Sequence, residues 1–218
     1  MNKDICVIFD FNGTMIFDGR FHDEAWKTYV EELSLVDVSE EDVEKWIKGK
    51  TPKEILEHFL GYELTDNMIE QFSEEKDRIY RSLIGRADVP LAPGLEDYLN
   101  YLLLAQVKRN IVSTAGPENM SYYFERYNLE RWFKWEDVII AAGDIPLKPH
   151  PDMYTAAIAK MNMPAEKTLV FEDSESGVKA AYSAGVTHIV AVTGDSKNKD
   201  LVVRPGVYRV IEDFTELR

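Results

Sequence analysis

One cysteine stands in a chain of 218 residues. No disulfide can form within the chain, so the framework of a disulfide-stapled secreted domain is excluded. Cys6 lies inside the first apolar run, ICVIF, and reads as a small buried core residue rather than a reactive thiol. Long apolar runs are missing too: nothing approaches the roughly 18 to 20 apolar residues of a membrane span. The N-terminal MNKDICVIFDF has too short an apolar run for a signal peptide, and no small-residue cleavage pattern, so a cytoplasmic protein is expected. Positive charge is in deficit, with 25 Lys and Arg against 39 Asp and Glu and a formal net charge of −14. Duplex binding needs clustered cations to neutralise phosphates, and an anionic membrane surface repels such a chain. Neither nucleic acid nor membrane is an expected partner. An anionic substrate needs a local patch of positive charge or a metal ion.

Internal repeats and low-complexity tracts are also absent. The 45% hydrophobic and 29% charged content is that of an ordinary globular chain, long enough for one good core and a smaller second domain. Two textures divide it. Residues 1–15 and 88–218 alternate short apolar runs (ICVIF, NIVST, VIIAAG, TLVFED, HIVAV) with helix-like stretches (LEDYLNYLLLAQ, ENMSYYFERYNL, DMYTAAIAKMN, SGVKAAYSAG). That alternation predicts a parallel sheet with helices on both faces. Residues 16–87 show no convincing strand and three helix starts: a capping box at Ser39–Asp42, a second at Thr51–Glu54 with Pro52 at the first helical position, and Thr65-Asp66. Val43, Trp46 and Ile47, then Ile55, Leu56, Phe59 and Leu60, recur at helical spacing. A helical insertion after the first strand is expected, joined to the sheet domain through FDGRF and ADVPLAPG.

Polar residues gather where the sheet's strands and loops should end. VIFDFNGT places Asp10 and Asn12 after the first strand, NIVSTAG places Ser113 and Thr114, PLKPHP places Lys148 in a loop before a helix, and VFEDSESG places Glu172 and Asp173. In a parallel sheet these ends share one edge, where open α/β folds put their chemistry. Such a set suits phosphoryl transfer, which needs an in-line nucleophile, a divalent cation and donors for the equatorial oxygens. Asp10, Asp173 and a backbone carbonyl near Asn12 suffice for Mg²⁺, which takes oxygen ligands. Each piece alone has a plainer reading, such as a turn former, a strand end, a solvated lysine or a helix start. Their joint appearance at four consecutive positions favours a site.

Taken together, DFNGT, VST, LKPHPDMY and FEDSESGVKAAYSAG resemble the four motifs of the haloacid dehalogenase superfamily, in order and across the whole chain. The insertion is similar to the helical cap of the β-phosphoglucomutase-like subgroup. HDEAWK, from His22 to Lys27, resembles the start of that cap's first helix, and WIKGKTPKEIL its substrate-specificity loop. The resemblance implies an α/β fold with a Rossmann-like parallel core at 1–15 and 88–218 and a helical cap domain at 16–87. It implies Asp10 as nucleophile, Ser113 and Thr114 as phosphate binders, and Lys148 bridging phosphate and nucleophile. Mg²⁺ would be held by Asp10, the Asn12 carbonyl and Asp173, with Glu172 supporting it directly or through water. His22, Lys48, Lys50, Lys53 and Lys76 are the candidate cap and substrate residues; for the lysines a solvated face is the plainer reading.

Asn12 departs from the pattern. That position is usually Asp in the family's phosphatases and phosphomutases, where it gives and takes the leaving group's proton. An amide cannot exchange a proton at neutral pH. General acid–base catalysis contributes about 10²–10⁴, while enzymes reach roughly 10²¹ over the uncatalysed rate on phosphate monoesters. An amide there therefore slows such an enzyme without abolishing it. The leading expectation is a Mg²⁺-dependent phosphatase acting on a small phosphorylated metabolite, a monomer or weak dimer. A phosphomutase is the alternative, disfavoured by Asn12. Dehalogenase chemistry leaves Glu172 and Asp173 surplus, phosphonatase chemistry needs a cap lysine poised for a Schiff base, and a receiver domain needs no long insertion. A non-catalytic binding protein, weakened at Asn12, is disfavoured by the presence of Asp10, Ser113, Lys148 and Asp173 together.

Overall fold

The structure, a computed structural model, describes residues 5–195 and 199–217. The first four residues of the N-terminal segment lie outside these. The chain divides into two compact units, Met1–Phe17 with Val89–Arg218, and Asp18–Asp88. Strand β1 (Cys6–Phe9) opens the first unit. The second unit follows with α1 (Gly19–Ser34), α2 (Glu40–Asp42), α3 (Pro52–Leu60) and α4 (Asp66–Arg86). The first then resumes with α5 (Leu95–Leu104), β2 (Lys108–Ile111), α6 (Pro117–Tyr127), α7 (Asp152–Met161), β3 (Thr168–Glu172), α8 (Glu175–Ser183), β4 (His188–Val192) and β5 (Val207–Ile211).

The five strands form one parallel sheet in the order β2-β1-β3-β4-β5. β1 is buried at every residue. A parallel strand covered on both faces has no solvent side, which is why CVIF is an unbroken apolar run. Cys6 and Ile8 point to one face, where they join Val170, Ile189 and Ala191 against Met153, Tyr154 and Ala157 of α7 and Val178 and Ala181 of α8. Phe9 serves the other face. It stacks on Phe171 at 5.2 Å, and Tyr98 of α5 meets both rings edge-on. Cys6 is a core residue: its Sγ lies 3.2 Å from Thr168 Oγ1, and burial raises the thiol pKa, which keeps it protonated and inert.

Register carries the site. Phe9 lies opposite both Ile111 and Phe171, so the residues that follow β1, β2 and β3 emerge side by side at one carboxyl edge. One expected strand is absent. VIIAAG makes only an isolated bridge between Val112 and Ile139, because Ala142 N–H turns back to Ile140 O at 2.9 Å and leaves the ladder. The fifth strand is instead VYRVI. It is an edge strand whose Tyr208 is largely exposed, and the charged Arg209 breaks its apolar run and hides it from a search for apolar runs.

In the second unit, Trp26, Tyr29 and Val30 of α1 pack with Val43, Ile47, Ile55 and Leu56. Both capping boxes form, Ser39 with Asp42 and Thr51 with Glu54, and Thr65 caps α4 by accepting from Met68 N–H. Val43–Ile47 continues α2 as a π turn rather than an α-helix. No helix among the described residues is long and apolar enough to cross a membrane.

In the Thr51 box, Glu54 N–H donates to Oγ1 at 3.3 Å and Thr51 N–H donates to the Glu54 carboxylate at 2.8 Å. Thr51→Ala is expected to cost about 1 kcal/mol, which for a chain of this size lowers the melting temperature by roughly 2–4 °C. Thermal unfolding followed by circular dichroism checks this; an unchanged midpoint would show that the box contributes nothing.

Candidate active site

Asp10 is the first residue beyond β1, and its N–H still donates to Phe171 O at 3.0 Å. Its carboxylate is therefore held at the sheet edge by the backbone ladder itself. Lys148 reaches it from the PLKPHP loop, where the Lys148-Pro149 bond is cis. The Lys148 ammonium donates to Asp10 Oδ1, to Glu172 Oε1 at 2.6 Å and to Val112 O at 3.3 Å. The Lys148 and Glu172 side chains are almost wholly buried, and Asp10 nearly so.

Glu172, the last residue of β3, is fixed from every side. Tyr154 O–H of α7 donates to its Oε1 at 2.8 Å. Its Oε2 accepts from Asp173 N–H, Ser174 N–H and Ser174 Oγ at 3.0–3.1 Å. Those amides lie in the turn that leads into α8, so the carboxylate also sits at the positive end of a helix dipole. A Cβ at Gly177 would collide with it, and one at Gly13, whose φ is +78°, would collide with the Asp173 carboxylate. Both glycines are there for close approach.

Charge at this edge is crowded. Carboxylate oxygens of Asp10, Glu172 and Asp173 lie within 4.8 Å of one another. Burial pushes the Asp10 pKa up to about 7; Lys148 opposes the rise and Glu172 adds to it. Burial, then the Asp10 and Glu172 charges, holds Asp173 well above the ordinary carboxylate range. Burial works against the Lys148 charge, but Asp10 and Glu172 outweigh it and raise its pKa. An all-oxygen cluster with more negative charge than one ammonium can balance suits a hard divalent cation such as Mg²⁺.

The sequence from residue 7 to 191 matches the model of the haloacid dehalogenase-like hydrolases. The chain belongs to this family. The hydrolase is 26% identical over 211 residues to a phosphorylated carbohydrates phosphatase of Thermotoga maritima, covering 94% of this chain and 93% of that protein. It is 27% identical over 207 residues to a β-phosphoglucomutase of Bacillus subtilis, covering 91% and 88%. Its structure resembles that of a family IA, variant 3 haloacid dehalogenase hydrolase from Entamoeba histolytica, with a TM-score of 0.92 and 30% identity, covering 98% of this chain and 95% of that one.

The structure gathers Asp10, Lys148, Glu172 and Asp173 of the hydrolase into one cluster. Ser113 is buried just beyond β2, its Oγ accepting from Ala115 N–H at 3.1 Å, and Thr114 beside it is exposed. The amide of Asn12 donates to Tyr123 O–H at 2.9 Å. In the helical unit, His22 stacks on Tyr80 at 3.9 Å, with Nε2 3.3 Å from Asp18 Oδ2 and Nδ1 3.4 Å from Lys76 Nζ. Lys76 corrects the solvated-face reading. It is 6% exposed, pairs with Asp77 at 2.5 Å and lies over the Trp26 ring at 5.0 Å, because α4 turns this one lysine toward α1. Lys48, Lys50 and Lys53 are exposed; Lys48 pairs with Glu44 and Lys53 with Glu57.

Tyr154 and Tyr123, which touch Glu172 and Asn12, and Tyr80 and Asp18, which touch His22 within the helical unit, were not legible as partners of these candidates. Three are tyrosines at ordinary helical core spacing, and no local signal separates a core tyrosine from one whose hydroxyl is in use.

Removing charge conflict at the edge has a measurable consequence. Mg²⁺ that binds only the folded state at about 100 times its Kd adds ~2.7 kcal/mol, which at roughly 2–4 °C per kcal/mol raises the midpoint by on the order of 5 to 10 °C. Asp10→Asn is expected to lose most of this gain while unfolding at or above the native temperature in chelator. Equal Mg²⁺ shifts in the native protein and the variant would remove Asp10 from the ligand set.

Proposed function

We propose that the hydrolase is a Mg²⁺-dependent phosphatase acting on a small phosphorylated metabolite through an aspartyl-phosphate on Asp10. The observation that carries this reading is the buried Asp10–Lys148–Glu172 pairing beside Asp173 at the carboxyl edge of the sheet. Asp10, Asp173 and the Asn12 carbonyl are the oxygens that would hold the cation, with Glu172 behind them. Bound Mg²⁺ supplies positive charge that keeps an anionic phosphate from repelling the carboxylates.

The chain's own residues do the rest. An Asp10 oxygen attacks phosphorus, the bond to the leaving oxygen breaks, and its electron pair departs with that oxygen. Lys148 holds the nucleophile in place and presents fixed positive charge to the phosphoryl group. The Ser113 hydroxyl and Thr114 N–H are the donors assigned to its equatorial oxygens, whose charge a preorganised site stabilises. Water then attacks the phosphorus of the aspartyl-phosphate and restores the Asp10 carboxylate. The Asp18–Asp88 unit is assigned as the cap that selects substrate, with His22, Lys76 and the Lys48–Lys53 segment as its recognition residues.

A phosphomutase is the second reading, favoured by the B. subtilis relative. A mutase must move protons on sugar hydroxyls in both directions, and Asn12 offers no group for that. We therefore favour hydrolysis.

Asp10→Asn should lower turnover to the background of the preparation while preserving the fold. A screen of sugar phosphates, nucleotides, acyl phosphates and diphosphates, with Mg²⁺ and with chelator, checks both points. Residual activity in the pure variant, or full activity in chelator, would overturn the mechanism. Asn12→Asp is expected to speed alkyl phosphates by up to about 10²–10⁴ and aryl or acyl phosphates far less, since those leave without a proton. Rates of the two proteins across esters of graded leaving-group pKa test this; parallel profiles would refute it.

A further inference from the structure

Asn12 sits two residues beyond the nucleophile, and its side chain is committed. Nδ2 donates to the phenol oxygen of Tyr123 at 2.9 Å. Tyr123 belongs to α6, the helix that follows Ser113 and Thr114, and it is fully buried. Its ring stacks on Phe11, the residue between Asp10 and Asn12, with centroids 4.4 Å apart and planes 20° from parallel. One tyrosine thus grips two successive residues of the nucleophile loop, Phe11 by ring stacking and Asn12 by a hydrogen bond.

The grip has a chemical direction. A phenol oxygen can accept from an amide N–H. With one N–H given to Tyr123, the amide's orientation is set, and the side chain cannot rotate freely to follow a bound group. Two neighbouring hydrogen-bond donors of this edge are engaged as well: Lys148 lies between Asp10 and Glu172, and Tyr154 O–H is given to Glu172.

We propose that Tyr123 is the positioning residue for Asn12, holding its amide as a fixed, uncharged hydrogen-bond donor, and that the pair restricts the site to phosphoryl donors whose leaving group departs as a stable anion. This rests on the phosphatase reading and deepens it. The substrate class is acyl, enol or aryl phosphates, or diphosphates. In the first step the Asp10–phosphorus bond forms and the phosphorus–oxygen bond to the leaving group breaks. The leaving oxygen keeps the electron pair and takes no proton. In the second, water adds to phosphorus, the Asp10 oxygen leaves as carboxylate, and both water protons stay with the released dihydrogen phosphate. No step draws a proton from residue 12.

The test is a double-mutant cycle on the full chain with Mg²⁺: native, Tyr123→Phe, Asn12→Ala and the double variant, assayed on an aryl phosphate and on acetyl phosphate. Phenylalanine keeps the stack on Phe11 and removes only the hydroxyl. A neutral hydrogen bond contributes about 1 kcal/mol, so kcat should fall about fivefold in Tyr123→Phe, with KM unchanged. The same change should have no effect once residue 12 is Ala. If the fivefold loss recurs in full in the Asn12→Ala background, Tyr123 acts through packing and the proposal fails. An alkyl phosphate hydrolysed as fast by the native protein as the aryl phosphate overturns the substrate class.

A second readout needs no turnover. The Asn12 side-chain NH₂ pair, assigned by its disappearance in Asn12→Ala, should shift in the ¹H–¹⁵N spectrum of Tyr123→Phe. An unmoved pair overturns the positioning role. A moved pair in a protein inert toward every phosphoryl donor upholds the role while refuting the phosphatase reading.

Discussion

The buried Lys148 ammonium is the charge around which the candidate site at the sheet edge is assembled. Its carboxylate partners are Asp10, just beyond β1, and Glu172, at the end of the neighbouring β3; both are buried, and burial opposes the ionisation of Asp10. Buried charges persist only with close pairing and further hydrogen bonds. Glu172 receives those bonds from Tyr154 and from the Asp173 and Ser174 amides just before α8. The position of Asp10 is thus inherited from α7, β3 and the turn into α8 as much as from its own strand. One consequence is that a chain of net charge −14 holds a positive charge at a buried point among its carboxylates. The charge is concentrated at one atom, where the field of a desolvated ammonium is strong.

On the proposed mechanism, Asn12 separates the electrostatic part of the chemistry from the proton transfer that an amide does not perform. Electrostatic preorganisation, in the form of the lysine, the helix terminus and the oxygen cluster, is independent of residue 12's side chain. Proton transfer at residue 12 is not. Because the first kind of effect is usually the larger, the proposed phosphatase reading keeps the edge catalytic while narrowing its range of leaving groups. The two glycine contacts point the same way: Gly13 and Gly177 let Asp173 and Glu172 approach backbone that any side chain would block, so the cluster is packed as tightly as it is charged.

Much of this was legible in advance, for identifiable reasons. A buried parallel strand must be apolar at every position, so ICVIF and TLVFED announced themselves, and the polar residues that end them stood out by contrast. Helix starts were legible because capping is local: Ser39, Thr51 and Thr65 satisfy amides only three residues away. The edge strand VYRVI was not, since one face is wet and its apolar run is broken. VIIAAG misled for the opposite reason, being apolar through burial beside β2 without joining the ladder beyond one bridge. Lys76 was misread because helical spacing gives a residue's phase but not which neighbour its face meets.

By itself, the sequence determined the family, the alternating α/β order and the residue types that carry the chemistry, because these are set by local patterns and by side chains at strand ends. Tertiary structure alone decided which of them meet. Strand register brought Asp10 beside Glu172 across 162 residues of chain. The folding of α6 onto the first loop put Tyr123 against Asn12, and α4 against α1 buried Lys76. Each of these contacts joins segments far apart in sequence. Their geometry follows from how whole elements pack, so neither partner's local sequence can reveal the other.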